Sequence, residues 1–130
     1  MGRPSEFTQE KADEICDWLE NGGSLRGYCK DEAHPGFTTV KRWLREHETF
    51  RAQYAQARDD QADTYADAVV EIADDEDIAP EHKRLMIDAR KWAAGKLKPK
   101  KYGDKVEHSG PDGGPLEIVI RRTALPDADD

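Results

Sequence analysis

Between Phe50 and Ile72 the residues Phe50, Tyr54, Ala57, Gln61, Tyr65, Ala68 and Ile72 follow one another at steps of 4, 3, 4, 4, 3 and 4. That is the spacing of one face of an α-helix. It predicts a helix starting near Thr49, continuous with or kinked from the preceding one, and ended by Asp74-Asp75-Glu76-Asp77 and Pro80. About 25 residues at 1.5 Å each make a rod of roughly 37 Å. Its stripe carries two tyrosines and Gln61 and is too polar for a sealed core. It suits a subunit interface, where tyrosine is enriched, so Phe50, Tyr54, Tyr65 and Ile72 are candidate oligomerisation residues.

Composition points the same way. Of 130 residues 36% are hydrophobic and 37% charged. A small domain already buries little apolar surface, so either part of the chain is disordered or much of the core forms between subunits. The net charge of −8 is unevenly spread: residues 1–58 carry −1, residues 59–81 carry −10, residues 82–105 carry +7 and residues 106–130 carry −4. Electrostatic arguments therefore hold only segment by segment. The acidic run Asp59–Glu81 reads as a solvated helix face or as the partner of the basic run Lys83–Lys105, within or between subunits; the basic run reads first as cations complementing a helix C-terminus and second as non-specific phosphate contacts.

Ahead of the long helix three shorter ones are expected. Residues 8–21 have Thr8 as a candidate N-cap, Ala12, Ile15, Cys16 and Leu19 on one face, and a stop at Asn21-Gly22-Gly23. Ser24 can cap a second helix with Leu25, Tyr28 and Cys29 on its apolar side. After a turn at Ala33-His34-Pro35-Gly36, Thr38 or Thr39 can cap a third.

On a helical wheel the third helix divides cleanly. Val40, Trp43, Leu44 and His47 lie on one side, and Thr38, Lys41, Arg42 and Arg45 on the other. Three short helices with a tight turn before the third form a helix-turn-helix unit, whose third helix can enter the DNA major groove. Arg and Lys can read guanine edges or clamp phosphates, and Thr can contact phosphate or a thymine methyl. The candidate DNA-binding residues are Thr38, Thr39, Lys41, Arg42 and Arg45, with Arg3 of Gly2-Arg3-Pro4 as a minor-groove arm. The plainer readings are a solvated charged helix face and a frayed terminus.

Other motifs fall away. "HETFR" at residues 47–51 lacks the second histidine of a zinc-protease site. "GKLKPKKYG" has no Gly-rich phosphate loop, and "GPDGG" is no dinucleotide fingerprint. No nucleophile–base pairing is visible, so the chain reads as no enzyme, without cofactor or metal. Cys16 and Cys29 are not spaced as a metal or redox pair and read as reduced, buried thiols. No apolar run is long enough for a membrane helix, and the N-terminus has no signal-peptide pattern.

A last helix is expected from about Glu81 to Lys96, ended by Pro99, with Leu85, Ala89, Trp92 and Ala93 forming a core or interface stripe. Beyond residue 105 "HSGPDGGP" is a linker. "LEIVIRR" then alternates Leu116, Ile118 and Ile120 against Glu117, Val119 and Arg121, as a strand over 116–122 does. A single strand must borrow an edge from another copy or another protein, or stay disordered. The expected units are 1–48, helix-turn-helix; 49–105, helical oligomerisation; and 106–130, linker, strand and tail.

Over residues 2–106 the sequence resembles the small terminase subunits of tailed bacteriophages. "GRPSEFTQEKADEICDWLENGGSLRGYCK" is similar to that family's opening, and "TTVKRWLREHETFRAQYAQARDDQAD" to its recognition helix and the helix after it. The most specific match is "DARKWAAGKLKPKKYGDKV", Asp88 to Val106. The resemblance implies a mainly α fold: an N-terminal helix-turn-helix domain, long antiparallel central helices that form a ring, and a C-terminal strand joining its copies in a β-barrel. It implies recognition of the packaging-initiation site on concatemeric viral DNA in the host cytoplasm. It further implies transfer of that DNA to a large subunit bearing the ATPase and nuclease. The DNA contacts would match Thr38, Thr39, Lys41, Arg42 and Arg45, and the barrel Leu116, Ile118 and Ile120. Two rival readings use the same residues: a dimeric helix-turn-helix transcriptional regulator, and an assembly protein whose basic face meets an acidic partner.

Overall fold

A computed structural model describes residues 3–103, and all regular structure among them is helical. The strand expected over 116–122, and with it Leu116, Ile118 and Ile120, lies outside the described residues. The helices are α1 (Gln9–Glu20), α2 (Leu25–Cys29), α3 (Phe37–Glu46), α4 (Glu48–Asp74), α5 (Pro80–Leu97) and α6 (Pro99–Tyr102).

The first two helices begin where their caps say they should. The Thr8 hydroxyl accepts from the Lys11 amide at 3.1 Å, and the Ser24 hydroxyl from the Gly27 amide at 3.0 Å, each satisfying an amide the helix leaves unpaired. At the end of α1, Gly22 takes φ +102°, a conformation that side-chain-bearing residues rarely adopt. At Gly23 a Cβ would fall 2.2 Å from the Trp18 indole, so the turn requires its second glycine for space. The third helix starts differently from expectation. Gly36 is its N-cap with no side-chain bond, and the helix begins at Phe37, which leaves Thr38 and Thr39 inside the first turn rather than capping it.

Ala12, Ile15, Cys16, Leu19, Leu25, Tyr28, Cys29, Val40 and Trp43 form one buried cluster, which Phe50 and Ala57 of α4 complete. Removing side chains as large as Trp43, Tyr28 and Phe50 from water contributes roughly 2–3 kcal/mol each. Phe50 is therefore corrected as an oligomerisation residue: it is 0% exposed inside its own chain and has no surface to offer another. Tyr54 packs against the same cluster. The expected division at residue 48 runs through this cluster. Only His47, extended at φ −121° and ψ 103°, separates α3 from α4.

The middle of α4 clamps the end of α1. Gln61, fully buried, donates to the Gly23 carbonyl at 2.8 Å; Thr64 donates to the Glu20 carbonyl at 2.6 Å; Tyr65 donates to the Gly22 carbonyl at 3.1 Å. These bonds satisfy carbonyls that a helix end and its turn leave open. They also explain the polar stripe: Gln61 and Tyr65 face the protein's own turn.

The far half of α4 pairs with α5, with the reversal at Asp75–Ala79. Ile72 and Ala94 are buried there, while Leu85 and Trp92 are each 67% exposed and Val70 is 62% exposed. Of the stripe expected at Leu85, Ala89, Trp92 and Ala93, the first three are exposed and only Ala93 is half-buried, on the less exposed side with Met86, Ile87, Ala94 and Leu97. The acidic and basic runs meet at the base of α5. Lys98 lies 3.1 Å from Asp59 and 3.2 Å from Asp63, Lys101 lies 3.3 Å from Asp63, and Tyr102 donates to Asp63 at 2.6 Å. The "KPKKY" stretch is the clasp that closes α6 onto α4.

This clasp holds the Asp63 carboxyl down at about 2, chiefly through the Tyr102 hydroxyl and then Lys98. A carboxyl depressed on folding adds stability above its unfolded value, near 3.9, and loses it as pH falls through its folded value. We expect Asp63→Asn to lower the melting temperature at neutral pH. The gap from wild type should narrow below about pH 4 and close near pH 2, measured by thermal unfolding across that range.

Candidate nucleic-acid interface

Amphipathic spacing gives α3 its orientation. Val40 and Trp43 are buried in the cluster shared with α1 and α2, which leaves Thr38, Lys41 and Arg45 exposed and Thr39 and Arg42 half exposed. The five candidate side chains of α3 thus share its solvent side. Arg42 is partly engaged: its guanidinium donates to the Ser5 carbonyl at 2.9 Å and lies 3.7 Å from Glu46. The end of α3 is finished by Arg51, which donates to the Leu44 and Arg45 carbonyls at 2.9 and 3.3 Å.

The segment between α2 and α3, Lys30–Gly36, is longer than the three or four residues of a tight helix-turn-helix turn, and it is pinned at several points. The His34 ring stacks on Tyr28, 3.9 Å between centroids and 7° between planes, with Nδ1 2.7 Å from the Tyr28 carbonyl. The Tyr28 hydroxyl donates to Glu14 of α1, and burial, followed by that carboxylate, pushes the phenol pKa up. Asp31 accepts from the Ala33 amide at 2.9 Å.

Arg3 is the largest departure from expectation. Its guanidinium donates to the carbonyls of His34 at 3.1 Å, Asp31 at 3.1 Å and Cys29. Those bonds engage two of its three guanidinium nitrogens in holding the loop before α3, a stapling role that the minor-groove reading did not include. The chain then crosses to Phe7, which stacks on His47 at 3.9 Å and 15° and meets Trp43 edge-on at 5.5 Å. The α3–α4 junction is thereby covered. No local pattern reveals these long-range contacts. One missed residue has a visible signal: Arg26 on α2, two positions after the Ser24 cap, places its guanidinium 4.0 Å from the centre of the Phe37 ring.

Chemically the surface offers forked and point cations on a rigid helix, suited to phosphate oxygens and guanine edges. Cys16 and Cys29 are both buried and unpaired by disulfide, and burial, helped by Glu20 and Asp13, pushes the Cys16 thiol up to about 11. Such a thiol is poorly suited to nucleophilic work. Among the described residues no cluster of His, Cys, Asp and Glu is arranged to hold a metal, and no helix is long and apolar enough to cross a membrane.

The described residues form an all-helical protein: a three-helix unit that turns the cationic side of its third helix to solvent, mounted on a helical hairpin. The chain belongs to the family described as bacteriophage Sf6, terminase small subunit-like, whose model matches residues 7–109. It is also similar to crystal structures of three single-substitution variants of the terminase small subunit gp1 of the bacterial virus Sf6. Each is 40% identical, over 95% of this chain and 99% of that one, with TM-scores of 0.70, 0.71 and 0.71. No curated protein matches the sequence. The matched span takes in α3 with all five of its candidate residues and leaves Arg3 outside.

The staple role of Arg3 is testable. Arg3→Ala should lower stability by roughly 1–2 kcal/mol, read by urea unfolding, because three carbonyls lose a charged donor. The salt dependence of DNA binding should not change, whereas a minor-groove arm would give the opposite pair of results.

Proposed function

We propose that this terminase small subunit recognises the packaging-initiation site on concatemeric phage DNA and delivers it to the large ATPase–nuclease subunit in the host cytoplasm. It acts as the DNA-binding, regulatory partner and leaves catalysis to the large subunit. The observation that carries the reading is the outward cationic side of α3, with Lys41 and Arg45 exposed on a helix whose opposite side is buried. Thr38 and Thr39 stand in its first turn, the end that a recognition helix presents to the groove.

The reading also includes a homo-oligomeric ring. Its support is the apolar surface that the hairpin leaves uncovered at Val70, Leu85 and Trp92. With Phe50 in the core, and with Tyr65 and most of Ile72 used inside the chain, the interface moves to this outer side of the hairpin. The strand over 116–122 would add to it by pairing copies edge to edge. Many weak helix-turn-helix units on one ring gain avidity, while acidic surfaces elsewhere limit non-specific binding. A dimeric transcriptional regulator would use the same α3 without the ring.

Two outcomes test this. Arg45→Ala and Lys41→Ala should each leave the assembly's mass unchanged and weaken duplex binding, lowering the slope of log K against log salt by about 0.9 for each phosphate no longer neutralised. Trp92→Glu with Leu85→Glu should reduce the mass found by light scattering while helicity is kept. A wild-type mass of one or two chains would favour the regulator.

A further inference from the structure

We infer that Arg26, held over the ring of Phe37, is a second DNA-phosphate contact, set on α2 beside the start of α3. This rests on the reading of α3 as the DNA-binding helix and adds a residue from another element to the same surface.

Three observations carry it. Arg26 is exposed on α2, and its guanidinium carbon sits 4.0 Å from the Phe37 ring centre. Phe37 is the first residue of α3, half-buried and packed against the cluster formed by α1 to α4, so it is a fixed platform. The Lys41 ammonium, one turn further along α3, lies 5.8 Å from the same ring centre. Two cations therefore sit on one aromatic ring, less than 10 Å apart.

Among the described residues neither cation has a carboxylate within ion-pairing distance. In this half of the molecule Arg42 pairs with Glu46 at 3.7 Å, and the His34 ring lies 3.9 Å from each of Glu14 and Asp31. Like charges at such separation repel in the free protein, and a polyanion laid across both reverses the sign. A guanidinium resting on an aromatic face keeps its N–H edges open for phosphate oxygens, and the stacking reduces the freedom lost on binding. Arg26 then fixes the backbone beside the entry of α3, while Lys41 and Arg45 lie along the helix. Contacts of this kind set register and carry no base preference.

The competing explanation is a staple: Arg26 on Phe37 ties α2 to α3 and does nothing else. Full-length Arg26→Gln, Arg26→Lys and Phe37→Leu separate the two, using a duplex of arbitrary sequence over a salt series, with thermal unfolding alongside. We expect Arg26→Gln to weaken binding about 5- to 10-fold per engaged subunit near 0.1 M salt, and to lower the salt slope by about 0.9 per engaged subunit. Its melting temperature should match wild type. Arg26→Lys should restore the slope. Phe37→Leu, which keeps both charges, should weaken binding with the slope unchanged. A wild-type slope and affinity in Arg26→Gln, with or without a lower melting temperature, would overturn the inference and leave the α3 reading intact. Absence of salt-dependent binding by the wild type would instead remove the α3 reading, and this inference with it.

Discussion

The molecule depends on one helix serving two cores. The first turns of α4 insert Phe50 and Ala57 into the cluster built by α1, α2 and α3, and its later turns carry Ile72 against α5. Between them, Gln61, Thr64 and Tyr65 bind the open carbonyls at the end of α1 and in the turn after it. A shared rigid helix with a fully buried, hydrogen-bonded Gln61 fixes the direction in which α3 points relative to the hairpin. In the proposed ring of many weak DNA-binding units, such a fixed mount would matter, because avidity requires that the copies engage together.

Charge is arranged around that mount in separate zones. The basic run after residue 82 does not remain wholly free: Lys98 and Lys101 are consumed by Asp59 and Asp63, and Lys83 donates to the Ala73 carbonyl at 3.1 Å. On the first unit Lys41 and Arg45 of α3, together with Arg26 and Lys30, are exposed, and among the described residues none of them has an ion-pair partner. A net charge of −8 is therefore compatible with a locally cationic surface.

The features legible in the sequence are local. The Thr8 and Ser24 caps, the glycine stop after α1 and the division of α3 into an apolar and a cationic side follow from neighbouring residues, and all four are present in the structure. Pairings across the chain are not legible. The stripe from Phe50 to Ile72 defines a helix face, but periodicity cannot say whether that face meets another subunit or the protein's own α1. Arg3 reads as a free arm because its three carbonyl partners lie 26 to 31 residues away and have no side-chain signature. On α5 the apolar residues cover two sides. The larger ones, Leu85 and Trp92, suggest an inward face, yet the smaller Ala94 is the one buried. The "KPKKY" motif is recognisably unusual as sequence, and only the fold supplies its reason, the convergence of two lysines and a tyrosine on Asp63.

The central claim is that duplex DNA lies on the outward side of α3 and not on the basic run of α5 and α6. Photocrosslinking of the full-length assembly to a bromodeoxyuridine-substituted duplex, with the linked peptides mapped, tests it most directly. The account predicts crosslinks within residues 26–45. Crosslinks confined to residues 83–101, with α3 untouched, would contradict it.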